Sequence, residues 1–380
     1  MRVFLLGATP SFNMDAVSTP SERLAATGGN SGNQVIAYGL LRELSYSSVS
    51  WDYSIGTDRV NAEYDVIVIA AANFLFPAFD FAGMAAFIER TNLPCVMVGV
   101  GAQSNTFSPD IELKPGTKRL MEIVSERSKL IGVRGPFSAE VLEHIGITNV
   151  QVTGCPSYYM SCKPELKIAK PALPQTPRMA INLSRDVLKH SFDADQMRKV
   201  IRQIASEAVR YGADFIAQTE MDEIILTESP GTPEADAALE RAYGFFSGIA
   251  DEPALREWLR THMRVYWSVD DWIREVKTCD FVFGQRFHGN MIAIQSGVPA
   301  MFVCHDSRTT EMCSFLGLPY VSLKELDTVN ARELYEKADF APLAQRYAEL
   351  YPAYRTFLET NKLPHKLGSS VSGKVAAEIS

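Results

Sequence analysis

An arginine and a histidine one residue apart, in Arg286-Phe287-His288-Gly289, stand directly behind the apolar run Phe281–Gly284. A guanidinium is a rigid fork of donors that fits a carboxylate or phosphate, and an imidazole gains or loses its proton near neutral pH. In an extended turn, residues two apart point the same way, so the pair reads as an anion clamp beside a proton donor or acceptor. A small apolar helix then starts at Gly289 and carries Asn290. A lone histidine is more often a satisfied core residue, but this one shares a short post-strand loop with an arginine.

Four further segments offer polar groups in comparable places. Gly28-Gly29-Asn30-Ser31-Gly32-Asn33 opens a stretch whose apolar residues Val35, Ile36, Leu40, Leu41 and Leu44 recur at helical spacing. Exposed amides at such a helix start suit an anion or a hydroxyl-rich ligand; Asn30 or Ser31 acting only as a helix cap explains the same residues. The loop is neither a Walker loop nor a dinucleotide GxGxxG loop. Gly101 and Gln103 follow the run Cys95–Val100, where glycines bring main chain to a cleft edge and Gln103 can bond a ligand hydroxyl; a tight turn is the plainer account. Arg134 sits between the strand Leu130–Val133 and a helix starting near Pro136, placed to grip an anion bidentately or to pair with a surface acid. His305, Arg308 and Glu311 follow the apolar run Ala300–Val303 and either complete the cleft or form a solvated charged turn.

These residues need elements to hold them. Apolar, β-branched runs at Val3–Leu6, Asp65–Ala70, Cys95–Val100, Leu130–Val133 and Val150–Val152 alternate with helical patterns at Asn33–Leu44, Phe81–Glu89, Thr117–Ser125 and Phe137–Ile145. That alternation predicts a parallel sheet covered by helices. A Pro-rich polar stretch from Lys163 to Arg178 reads as a crossover, after which the pattern repeats. Strands are expected at Met179–Leu183, Asp214–Thr219, Phe281–Gly284 and Ala300–Val303, with helices at Ala194–Tyr211, Asp270–Lys277 and Gly289–Ser296. The acidic stretch Asp222–His262 reads as a loop followed by helix. The resulting fold class is α/β, with two Rossmann-like, doubly wound parallel-sheet domains facing a cleft, the arrangement of the GT-B fold. Residues 1–165 form the first domain, on the acceptor side; 166–330 form the second, carrying the Arg-x-His site. Residues 331–380 form a helical segment packing back on the first.

Bulk properties narrow the field. At 380 residues and 42.1 kDa the chain fits two cores. A net charge of −8 and a pI near 5.4 argue against nucleic-acid binding through phosphate neutralisation, so any anion must be gripped locally. No apolar run approaches the roughly 20 residues that span a bilayer, and the N-terminus reads as a strand rather than a signal peptide, which points to the cytoplasm. Six scattered cysteines without CxxC spacing read as reduced and mostly buried, and no metal site is expected.

Taken in order, the quoted segments resemble the polysaccharide pyruvyl transferase family. GGNSGNQVIAYGLLREL is similar to its N-terminal loop and helix, GVGAQ to its second loop, VRGPFSAEVLEHIGI to its Arg-centred segment and VFGQRFHGNMIAIQSGVPAMFV to its Arg-x-His signature. The resemblance runs from about Gly28 to Gly317. It implies a GT-B-like fold with no bound cofactor, phosphoenolpyruvate as co-substrate, and a sugar or lipid-linked oligosaccharide as acceptor, whose two hydroxyls become bridged by a pyruvate ketal. By the same resemblance Arg134 and Arg286 hold the donor's carboxylate and phosphate, and His288 is acid or base. Where family members often carry Gly-Asp-Pro after the fifth strand, this chain has Gly154-Cys155-Pro156. A lipid-linked acceptor would bring the enzyme to the inner face of the membrane as a peripheral visitor, with Phe74, Phe76, Phe79 and Phe81 as one contact patch and core burial as the other account of them. Acceptor contacts are expected in Phe74–Asp80, Thr106–Lys114 and the Asp222–His262 stretch. Two other readings fit the same architecture: a nucleotide-sugar glycosyltransferase with Glu311 on the ribose, and a non-catalytic glycan- or nucleotide-binding protein.

Overall fold

A computed structural model describes residues 1–104, 107–185 and 191–368. Its first sheet contains β1 (Arg2–Gly7), β2 (Ser48–Ser50), β3 (Val66–Ala70) and β4 (Cys95–Val98), all parallel, in the order β2-β1-β3-β4. Two further parallel strands, β5 (Ile131–Val133) and β6 (Val150–Val152), pair with each other and join the β4 edge through a bridge between Val100 and Val133. The second sheet contains β7 (Met179–Asn182), β8 (Asp214–Ile216), β9 (Met263–Arg264), β10 (Phe281–Gly284), β11 (Ala300–Cys304) and β12 (Tyr320–Ser322), in the order β12-β11-β10-β7-β8-β9. The winding direction reverses between β1 and β3 and again between β7 and β10. Loops leave such points in opposite directions and open a crevice beyond the strand ends.

Both sheets are buried on both faces, as parallel sheets must be. Along β1, Val3 and Leu5 enter one core while Phe4 and Leu6 enter another; along β10, Val282 faces one core and Phe281 and Phe283 the opposite one. The core holding Val3, Leu5 and Val282 is shared by the two sheets, with the helices Gln34–Glu43, Phe287–Gln295 and Ala341–Thr360 between them. The two halves therefore meet through packed apolar side chains, and their strand carboxyl ends converge.

Parts of the fold depart from expectation. The short strands β2, β9 and β12 carry too few residues to show a period of two. The acidic stretch is three helices, Met221–Glu228, Pro233–Phe246 and Glu252–Thr261. Pro233 and Pro253 stand in first turns behind the caps Thr232 and Asp251, whose side chains accept from Ala235 N and Ala254 N, so both prolines start helices. Of the C-terminal segment, Ala331–Lys337 packs in the second sheet's outer core, and only Ala341–Thr360 crosses to the first half. There the Tyr354 hydroxyl donates to Glu43 at 2.6 Å, and Asn361 just past the helix accepts from the Lys129 and Leu130 N–H groups, each at 3.1 Å. Residues 369–380 of that segment and Thr106 lie outside the described residues. Among those described, no helix is long and apolar enough to cross a membrane.

Candidate active site

The helix carrying the Arg-x-His motif begins at Phe287, two residues earlier than the sequence predicts, and Arg286 is its N-cap. The first helical turn rotates His288 away from Arg286, which overturns the expectation that the two side chains point together. Arg286 turns towards β8: its guanidinium donates to Glu220 Oε1 at 2.7 Å and to the Thr219 hydroxyl. His288 turns the other way and meets Cys155 Sγ with Nε2 at 3.5 Å. Glu220, which sequence reasoning missed, is 4% exposed. Burial disfavours its charge, but Arg286 together with the Thr219 hydroxyl and the Thr219 and Gln218 N–H groups brings its carboxyl down to about 2, so it stays ionised.

Arg134 also differs from expectation. Only 1% exposed, it donates from Nε to Gly99 O at 2.8 Å, from one terminal nitrogen to Asn73 Oδ1 at 2.9 Å and from the other to Ala71 O at 3.1 Å. Its fork thus ties together the loops leaving β3 and β4 instead of lying open to a ligand. Gly101 is needed beside it, because a Cβ there would stand 2.7 Å from Arg134 Cδ. Asn73 passes the connection on: its amide donates to Gln103 Oε1 at 2.8 Å, and Gln103 Nε2 reaches Asp306 Oδ2 of the second half at 3.3 Å.

Asp306 is the second acid missed. It caps the helix Ser307–Leu316, accepting from Thr309 N at 2.8 Å, and its other oxygen lies 3.6 Å from both Arg308 and His305. Burial works against its charge, yet Arg308, His305 and the Thr309 bonds take it down to about 2. Arg308 is 18% exposed and its buried Nε meets no partner. Burial, and after it the charges of Arg134 and Arg308, hold the His288 imidazole well below its ordinary range; burial likewise lowers His305, against the pull of Asp306. Both rings are neutral at pH 7.

The remaining candidates divide into frame and surface. Asn290 is fully buried, donates to Gly284 O and accepts from Asn182, so it fastens β7 to β10. Gly289 lets the same helix approach Asn182 and Gln218, which a Cβ would meet at 2.9 Å. Glu311 accepts from Ser138 Oγ at 2.6 Å and Ser138 N at 3.2 Å, capping the first-half helix Pro136–His144 from the second half. Burial raises its carboxyl to about 7 despite those bonds. This occupied carboxylate is not free for a ribose. In the N-terminal loop, Asn30 accepts from Gly32 N, Asn33 donates to Thr27 O, and Ser31 N donates to Gln218 O at 3.0 Å, which docks the loop on the second half. Ser31 Oγ and Gln218 Nε2 are buried without partners beside it.

Asn30 and Asn33 also line a cavity of about 530 Å³ at the β1–β3 reversal, with Tyr53, Asn73, Phe74 and Phe79 among its walls. Phe74 stacks on Phe81 at 4.1 Å and is buried, whereas Phe79 is 43% exposed. Asn73 joins this cavity to Arg134 and, through Gln103, to the Asp306–Arg308 pair. Among the described residues no group of three or more His, Cys, Asp or Glu could hold a metal ion.

The neutral histidines make a stability prediction. Below an unfolded pKa of about 6.5 the unfolded chain takes up protons that buried His288 refuses, so its contribution is present above pH 6.5 and is lost as pH falls. Glu311 and Glu223, raised to about 7 by burial, act with the opposite sign and are lost as pH rises, so a difference measurement is needed. Between pH 6.5 and 5, wild type should lose up to about 1.4 kcal/mol per pH unit relative to His288→Gln in urea unfolding. Equal slopes would mean the imidazole titrates normally.

The family model described as "Polysaccharide pyruvyl transferase" matches residues 30–307. No curated protein matches the sequence. Among solved structures, a putative UDP-N-acetylglucosamine 2-epimerase from Listeria monocytogenes is similar at 14% identity and TM-score 0.45, covering 96% of this chain and 98% of its own. A UDP-GlcNAc 2-epimerase from Methanocaldococcus jannaschii is similar at 11% identity and TM-score 0.43, covering 94% and 100%. The glycosyltransferase SnogD from Streptomyces nogalater gives 15% identity and TM-score 0.30, covering 94% and 82%. Since the matched residues 30–307 make up well over half of the 380, the chain belongs to the polysaccharide pyruvyl transferase family.

Proposed function

We propose that this transferase moves the pyruvyl group of phosphoenolpyruvate onto two hydroxyls of one sugar in a polysaccharide or its precursor, forming a pyruvate ketal. The observation that carries the reading is Arg308, a cation with an unpartnered buried Nε beside two neutral imidazoles, where the strand ends of both halves meet. Arg134, Arg286 and Arg308 stand against the ionised Glu220 and Asp306, so the cluster keeps a positive excess that an anionic donor would neutralise.

In this scheme the donor's charges lie on Arg308 and the exposed edge of Arg286, while Arg134 holds the floor. An arriving anion also offsets the charges of Arg134 and Arg308, which after burial are what keep His288 neutral. The imidazole then takes up a proton and delivers it to the enol methylene, leaving the adjacent carbon oxocarbenium-like. One sugar hydroxyl adds to that carbon, its proton returning to the His288 imidazole, and phosphate leaves; the second hydroxyl closes the ring and its proton goes with the phosphate. The 530 Å³ cavity beside Asn73, polar on the Asn30–Asn33 side and aromatic on the other, is the acceptor subsite of this reading.

The reading is tested by phosphate release when phosphoenolpyruvate is mixed with a panel of oligosaccharides, with nucleotide sugars as the competing donors. Release that needs both phosphoenolpyruvate and a sugar supports it; turnover with a nucleotide sugar alone refutes it. Arg308→Ala should raise KM for phosphoenolpyruvate by about 10- to 100-fold, the loss of a charge-assisted contact, with a smaller change in KM for the sugar. An unchanged donor KM would remove Arg308 from the donor site.

A further inference from the structure

A second groove, of about 500 Å³, is lined by the stretch that directly follows the acceptor cavity's N-terminal wall. Gly7, Ala8 and Thr9 line the first cavity, and the next three residues, Pro10, Ser11 and Phe12, line the second. Tyr46 and Trp51 come to the groove from the first half and Trp267 from the second, with Phe12 against Trp267 edge-on at 5.9 Å. Charged groups are interleaved with these rings. Arg42 donates to Tyr38 Oη at 3.1 Å, Tyr38 bonds Asp270 of the opposite half, and Lys366 stands over the Tyr46 ring at 5.2 Å.

We propose that this groove is a second glycan subsite, holding sugars of the acceptor chain beyond the residue that is pyruvylated. The inference rests on the acceptor reading given above and specifies it: the substrate is an oligosaccharide long enough to cross the Ala8–Phe12 wall, and not a free monosaccharide. Flat rings flanked by fixed hydrogen-bonding groups suit a sugar, which has an apolar face and a polar rim. Two observations select a glycan over a protein or lipid partner. The groove adjoins the acceptor cavity along consecutive residues, Thr9 of one and Pro10 of the other, and its aromatic floor is divided by Arg42, Asp270 and Lys366 instead of being continuously apolar. Since the lining comes from both halves, a bound chain would also clamp them together.

The chain has four tryptophans, of which Trp258 and Trp272 are buried at 2% and 1% exposure, so a ligand in the groove changes emission through Trp51 and Trp267. Wild-type protein is titrated with a panel of neutral and uronic-acid-containing hexasaccharides, and with the matching monosaccharides at equal concentration. At least one hexasaccharide should shift tryptophan emission while its monosaccharide does not. Trp51→Ala and, independently, Trp267→Ala should each weaken that binding about tenfold, the scale of one lost aromatic contact. In turnover, both variants should raise KM for the long acceptor with KM for phosphoenolpyruvate unchanged. If no hexasaccharide alters emission, or if long and short acceptors respond alike to both variants, the subsite is refuted. Emission changes without phosphate release from phosphoenolpyruvate would keep the groove and refute the pyruvyl-transfer reading, so the two failures are distinct.

Discussion

Replacing His288 by alanine should slow phosphate release from phosphoenolpyruvate in the presence of acceptor by about 10²- to 10⁴-fold, the range a positioned general acid or base contributes. The size follows from the protonation cycle. Empty, the imidazole is kept neutral by burial and by Arg134 and Arg308, and its Nε2 faces Cys155 Sγ at 3.5 Å. In the proposed scheme the donor brings the negative charge that favours a proton on the ring, so proton uptake and substrate binding are one event. The fall should appear in kcat with donor KM changed far less, since His288 is not the donor's anchor. A loss under about threefold would remove it from the proton transfer.

Arg134→Ala should destabilise the fold by about 3–5 kcal/mol in urea unfolding, because it opens a cavity and leaves buried acceptors without donors. Gly99 O, Ala71 O and Asn73 Oδ1 all bond this one guanidinium, and Asn73 in turn steers Gln103 towards Asp306. Arg134→Lys should recover only part of the loss, since an ammonium lacks the planar fork that serves three sites at once. A variant as stable as wild type but with a raised donor KM would return Arg134 to the donor-binding role that the sequence assigned it.

Arg134 shows what a sequence reveals and what it hides. The strand Ile131–Val133, the Pro136 helix start and the arginine between them were all legible, because each depends on neighbours in the chain. What the guanidinium bonds was not legible, because its partners at 71, 73 and 99 belong to other loops. The Arg-x-His motif divides similarly. Its place after β10 was readable, but a helix starting at Phe287 instead of Gly289 rotates His288 by whole side-chain positions, and no local residue marks that start. Glu220 and Asp306 were given no site role although each follows a strand, the same criterion that found Arg134 and His288. Glu220 was hidden at the edge of an acidic stretch, and its importance depends on Arg286, 66 residues away. The fold was more open to reading than the site. Alternating patterns report burial residue by residue, whereas a site is a set of pairings across the chain.

The chemistry itself is tested most directly by running the reaction in heavy water and examining the sugar product by mass spectrometry and NMR. The account predicts one pyruvyl ketal per phosphate released, its methyl group carrying a single solvent-derived deuterium delivered to the former methylene. A product without solvent hydrogen in that methyl group, or phosphate release with no pyruvylated sugar, would contradict it.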